Sequence, residues 1–144
     1  MSKITFDTNI FVSRPRVQLP ENFYLHAVVL QELVAGAADD TELKAWSVVR
    51  SRYHKIGRLL VPTEEDWWQV GRILNALQRG LKSQSGGETP RMMATEKYRL
   101  THDILIARTA KRAGVTIVTD NRKDFDKIQK FCNVRYVSGD EFFA

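Results

Sequence analysis

Five acidic residues in this chain stand where reactive groups are placed rather than where charge merely faces water. Asp7 follows the apolar β-type run Ile4-Thr5-Phe6, and Glu32 follows an apolar run over 24–30. Asp120 and Asp124 flank the end of another such run, over 115–119. Asp103 heads an apolar helical stripe, with Ile106, Ala107 and Ala110 at i+3, i+4 and i+7. In an open parallel α/β sheet the carboxyl ends of the strands share one edge, and ligands bind in the crevice there. Acids distant in sequence then meet in space. Carboxylates a few ångströms apart raise one another's pKa unless a cation stands among them. A hard, all-oxygen set of this kind suits Mg²⁺ or Mn²⁺. The chemistry it offers is metal-assisted attack on a phosphate ester.

Each acid also has a plainer reading. Asp7 with Thr8 and Asn9 could cap a helical turn, although Thr8 or Asn9 could equally orient a ligating carboxylate. Glu32 could face solvent from a helix, yet it lies in the apolar stretch 27–35, where an unpartnered glutamate is costly to bury. Asp103 could be a first-turn acid behind a Thr101 N-cap. Asp124 could cap the helix after it and Asp120 could be a turn residue, while Thr119 could orient a water or a carboxylate.

The elements that would position these acids are short strands alternating with helices. The pattern predicts strands over 3–6, 24–30, 115–119 and 134–137. It predicts a helical turn over 10–13 ended by Pro15, a helix over 31–38, and an amphipathic segment over 42–60. That segment carries Leu43, Trp46, Val49, Tyr53, Ile56 and Leu60. Thr63 and Asp66 form a near capping box at the start of a further helix. Its buried face is read as Trp67, Val70, Ile73, Leu74 and Leu77, with Trp68 off that stripe and free to cover a protein–protein surface. A glycine-rich loop is expected over 82–90, then a helix over 96–113 with a break near Thr101 and Gly114 as its C-terminal stop. A short helix over 124–131 and a turn over 140–143 complete the chain. Crossover-length helices between strands predict one α/β domain over 1–144, with a central parallel sheet flanked by helices.

The net charge of +5 makes a polyanionic partner plausible. Cys132 is the only cysteine, which rules out an intrachain disulfide and fits a reducing cytoplasm. It is read as a core residue. Residues 1–3 run straight into the first strand without a secretory-leader pattern, and no apolar run approaches the ~20 residues of a membrane span. His26 and His54 are read as structural or surface residues, and His102 as a lesser candidate for the site.

Taken in order, Asp7-Thr8-Asn9, Glu32-Leu33 with Gly36, Asp103-Ile104-Leu105-Ile106-Ala107 and Thr119-x-Asn121-x-x-Asp124-Phe125 form a set. On that set the chain resembles PIN-domain ribonucleases, and among them the VapC-type toxins of toxin–antitoxin pairs. The resemblance spans residues 4–125. It implies a PIN-like domain whose acidic cluster binds Mg²⁺ or Mn²⁺ and cleaves RNA. Asp7, Glu32 and Asp103 match the three main acids, with Asp7 and Asp103 the foremost metal ligands. Asn121 and Asp124 match the last motif, and Asp120 occupies a place that the motif leaves open, so it ranks below Asp124. The loop at 82–90 is long for this family.

The resemblance also implies in-line attack that expels a ribose 3′-oxygen, with either Glu32 or Asp124 holding or deprotonating the water. It implies a homodimer and a small cognate antitoxin, for which an Arg or Lys reaching into the acids would make physical sense. Phosphate contacts are expected from Arg14 and Arg16 beside the first acid, from Arg108, Lys111 and Arg112 on the Asp103 helix, and foremost from Arg122 and Lys123. Two other readings compete. A receiver-like regulatory domain would need a phosphoacceptor Asp after a middle strand and a Lys after a late one, and neither stands at a convincing place. The other is an RNA-binding PIN-like module without catalysis.

Overall fold

A computed structural model of the chain describes residues 3–14, 19–84, 86 and 91–144. Arg16, Pro15 and most of the loop expected over 82–90 lie outside the described residues. Five strands are seen: β1 (Ile4–Phe6), β2 (Leu25–His26), β3 (Leu59–Leu60), β4 (Thr116–Val118) and β5 (Tyr136–Val137). The helices are α1 (Thr8–Ser13), α2 (Ala27–Ala35), α3 (Asp40–Lys55), α4 (Glu64–Gln84), α5 (Ala94–Ala113), α6 (Arg122–Gln129) and α7 (Gly139–Phe143).

Every pairing is parallel. β4 lies between β1 and β5, with Phe6 opposite Val118 and Val118 opposite Val137. β2 pairs with β3, and a bridge between Thr5 and Tyr24 joins that pair to β1. Thr5 strengthens this seam by donating its hydroxyl to the Tyr24 carbonyl at 2.7 Å. The protein is thus α/β with a parallel sheet, as the alternation of elements predicts. Neighbouring residues of β4 point to opposite faces. Ile117 packs with residues of α2, α4, α5 and α6, whereas Val118 packs with residues of α1, β1 and α7. Helices therefore cover both faces.

The structure corrects several boundaries. The apolar run 24–30 is only two residues of strand before α2 begins. His26 turns the chain there: its Nδ1 accepts the Val28 N–H at 3.0 Å as the N-cap of α2. A run that is apolar throughout has no period to separate buried strand from buried helix. Residues 59–60, read as the end of a helix, form β3 after Gly57 turns the chain at φ 73°. α5 runs without a break through Thr101, whose hydroxyl donates back to the Lys97 carbonyl instead of capping. Residues 82–84, expected in a loop, continue α4. Asn121, not Asp124, stands at the N-cap of α6.

The α4 stripe is also shifted. Trp67 is 55 % exposed, and the fully buried position beside it is Asp66. The capping box forms as expected, with Asp66 accepting the Thr63 N–H at 2.8 Å. The same carboxylate also takes Arg108 at 3.1 Å and Arg112 at 2.6 Å from α5. Satisfying it holds this end of α4 against α5 and leaves Trp67 on the outer side. α5 is the central post of the core: Leu100, Ile104, Leu105, Ile106, Ala107 and Ala110 are all fully buried.

Candidate active site

The parallel register brings the acids together. Strand β1 ends next to β4, so the Asp7 N–H donates to the Val118 carbonyl at 2.9 Å. Asp7 is therefore a neighbour of Thr119, and the Thr119 hydroxyl donates to its Oδ2 at 2.7 Å. Oδ1 of Asp7 accepts the Thr8 N–H at 2.8 Å, which caps α1. Asn9 ties the corner by donating from Nδ2 to Asp7 Oδ2 at 3.2 Å and accepting the Asp120 N–H at 3.2 Å. The capping and orienting readings of this segment are therefore compatible: Asp7 caps α1, and Asn9 and Thr119 hold its carboxylate in place.

Asp103 enters from the third turn of α5 and Asp124 from the first turn of α6. Asn121 links them, donating from Nδ2 to Asp103 Oδ2 at 3.0 Å and to Asp124 Oδ2 at 3.1 Å. Thr119 positions Asn121 in turn, by accepting its backbone N–H at 3.0 Å. Asp7, Asp103 and Asp124 are all buried. Glu32 comes from the second turn of α2, is partly exposed, and meets His102 Nδ1 at 3.0 Å.

A cavity of about 330 Å³ opens over this cluster. Asp7, Glu32, Asp103, Asn121, His102 and Tyr98 are among its walls. A second groove of about 430 Å³ shares Thr8, Val12 and Glu32 with it and runs on between Phe11, Leu33 and Trp46. A larger cleft of about 460 Å³ lies at the other end of the strands, around Lys3 and Gly114, and holds none of the acids.

The electrostatics of the cluster are strained. Burial pushes the Asp103 carboxyl up to about 9, and the charges of Asp7, Asp124 and Glu32 push in the same direction. Burial also raises Asp7; its bonds from Thr119 and Thr8 oppose the rise, while Glu32 and Asp120 add to it. Asp124 behaves differently. Burial would raise it, but the hydrogen bond and charge of Arg99, with the Asn121 amide, outweigh that and hold it below the ordinary carboxylate range.

A divalent cation fits this donor set. The oxygens are hard, two of the carboxyls are held out of their preferred ionisation, and the Thr8 hydroxyl is buried without a hydrogen-bond partner among the described residues. Among the described residues no three Asp, Glu, His or Cys side chains stand close enough together to hold a metal ion by themselves.

Of the residues expected at the site, Asp7, Glu32, Asp103, Thr119, Asn121 and Asp124 come together. Asp120 is turned away. Its carboxylate takes Arg14 Nε at 3.0 Å and the Gly139 N–H at 3.0 Å, tying α1 to α7. Arg14 is bound in the same latch and reaches Asp140 at 2.8 Å, so it is not left open as a phosphate contact. Arg108 is engaged within the chain as well. Five residues after Asp103 it stands about 140° around the helix, where it serves Asp66, as Arg112 does. Arg122 and Lys123 stay exposed at the start of α6, Arg122 with only a 3.8 Å approach to Glu141. His102 is a fuller member of the site than its sequence context suggests. Arg99 and Tyr98 were missed; the signal was available, because Arg99 precedes Asp103 by one helical turn and shares its face.

A PIN-domain family model matches residues 4–131. Curated protein sequences give no match. Among solved structures, VapBC-1 from nontypeable Haemophilus influenzae is 19 % identical over 96 % of this chain and 98 % of that one, with a TM-score of 0.51. DNA-bound VapBC from Salmonella typhimurium is 22 % identical over 96 % and 98 %, with a TM-score of 0.52. At this identity the two structures speak for the fold.

Proposed function

This chain belongs to the PIN-domain family, and from that premise we propose that it is a Mg²⁺- or Mn²⁺-dependent endoribonuclease, the toxin of a toxin–antitoxin pair. The observation that carries the reading is the convergence of Asp7, Glu32 and Asp103 on one cavity, with Asp124 joined to Asp103 through the Asn121 amide and Arg99, among the described residues, as the arginine paired to the cluster. The receiver-like alternative has no support left beside the family match.

Asp7 and Asp103 would hold the ion, with Asp124 and Glu32 completing its surroundings. A bound divalent ion supplies Lewis acidity at the scissile phosphate and a water acidic enough to yield hydroxide near neutral pH. The chain's own residues do the rest. Thr119 and Asn9 fix Asp7, and Asn121 fixes Asp103 and Asp124 at one separation. Glu32, the most open of the four acids and bonded to His102, is best placed to hold or accept the proton of the attacking water. Arg122 and Lys123 are the cations we assign to the RNA backbone.

The groove running from Glu32 past Phe11 and Trp46 supports an antitoxin partner. A segment seated there would have its apolar side chains covered and a basic residue within reach of the acids. Exposed Trp67 and Trp68 on α4 support a protein–protein surface, in keeping with a homodimer. No helix among the described residues is long and apolar enough to cross a membrane.

The test is cleavage of a mixed RNA pool by purified protein with Mg²⁺, Mn²⁺ or EDTA, beside Asp7→Ala and Asp103→Asn. Cleavage is expected only with metal, and both variants should lose at least about a hundredfold in rate. Cleavage that persists in EDTA, or in both variants, would refute the assigned site.

A further inference from the structure

Tyr98 is the aromatic residue of the catalytic cavity that the proposed reaction does not use. α5 carries Tyr98, Arg99, His102 and Asp103 within an arc of about 140°, so these side chains form one wall. Tyr98 lies on the rim of that wall and is 57 % exposed. Its ring packs on one side against His102, with centroids 4.2 Å apart and planes tilted by 51°. His102 in turn is fixed by Glu32 at 3.0 Å. The tyrosine is therefore backed by a held ring on one side and open on the other, one helical turn from the acids.

The open face of the ring borders the cavity, within reach of whatever occupies it. The acids alone repel any anion, but a nucleotide whose phosphate meets a cation among them would bring a flat apolar base within a few ångströms of the rim. We propose that Tyr98 is a stacking platform for the base next to the scissile phosphate. The inference rests on the nuclease reading above. A base inside an A-form duplex is stacked on its own neighbours and cannot reach such a ring, whereas a base in a single strand or loop can be splayed onto it.

The experiment is fluorescence anisotropy with a labelled 12-nucleotide single-stranded RNA of mixed sequence and with the same strand in a duplex, in Mg²⁺. Every protein carries Glu32→Gln, which slows cleavage while leaving Asp7 and Asp103 to hold the ion, with Tyr98 intact or changed to Phe, Leu or Ala. Melting curves are taken for each, and an exposed position should leave them unchanged. Tyr98→Ala and Tyr98→Leu should weaken single-strand binding about tenfold, Tyr98→Phe should stay within about twofold, and duplex binding should not respond. The leucine separates stacking from bracing, because it can still pack on His102 but offers no face to a base. Retained affinity with leucine, or equal losses on single strand and duplex, would overturn the stacking role. If the protein with Tyr98 intact binds neither RNA, the nuclease reading itself fails and takes this inference with it.

Discussion

Asp66 and Asp103 are both buried aspartates, on the packed helices α4 and α5, and the fold treats them in opposite ways. Asp66 is fully buried, but two arginines and a backbone N–H satisfy it. Burial alone would raise its pKa; the Thr63 bond and the arginines win, and it lies below the ordinary value. Asp103 is as deeply placed with an amide as its hydrogen-bond donor and three other acids around it, and its carboxyl is pushed up to about 9. A carboxylate matched inside the chain holds helices together. One left unmatched is where a cation from outside belongs.

The sharpest way to break this contrast is to remove each acid and read stability in EDTA. Asp66→Ala leaves Arg108 and Arg112 without their partner and opens the capping box. It should cost about 2–3 kcal/mol, below the range for fully enclosed pairs because both guanidiniums reach solvent. Asp103→Asn should cost nothing or raise the melting temperature, because an amide stays neutral among the acids without taking up a proton. Urea unfolding of both variants decides this, and a destabilised Asp103→Asn would place the two acids in the same class.

Asn121→Ala comes next. It removes the amide that spaces Asp103 and Asp124, and metal affinity should fall about 10- to 100-fold. Calorimetry with Mn²⁺ measures this directly, and an unchanged affinity would mean the amide does not set the ligand geometry.

Stability against pH sharpens the comparison, since the two acids have opposite signs. Asp103 has a folded pKa above its unfolded one, so its contribution is fully present below about 4 and is lost as pH rises through about 9. Asp66 has a depressed folded pKa, so its contribution is present above the unfolded value and is lost as pH falls through the folded one. Metal-free protein should therefore lose stability toward alkaline pH and regain it with Mg²⁺. Melting curves from pH 5 to 9 with and without the ion would show this, and Asp103→Asn should flatten the alkaline slope. A slope that survives in that variant belongs to another group.

The smallest effect is expected at the Arg14 latch. A Cβ at Gly139 would stand 2.5 Å from Arg14 Nε. Gly139→Ala should shift that flexible guanidinium away from Asp120 at a cost under about 1 kcal/mol, without loss of RNA cleavage. A large loss of cleavage would mean that Asp120 does serve the site.

Asp66 and Asp103 also show what could be read from the sequence. The strand runs, the acids after them and the ordered motifs were enough to anticipate a parallel sheet and the six residues that meet at its edge. The Thr63–Asp66 capping box was legible because capping is local. The two arginines on Asp66 were not, because they arrive from a helix more than forty residues away, and Arg108 looked like a free cation. A still longer separation, 106 residues, hid the Arg14–Asp120 latch. α5 was read with a break at Thr101 because a threonine before an acid resembles a helix start; only burial on all sides shows that the helix continues. His102 was underrated for a similar reason, since its partner Glu32 is seventy residues away.

The central claim is that the unmatched acids are a divalent-metal site, and calorimetric titration of Mn²⁺ into metal-free protein near pH 7.5 tests it most directly. The account predicts binding with proton release in the intact protein and loss of that binding in Asp103→Asn. No binding to the folded intact protein, or equal binding in the variant, would contradict it.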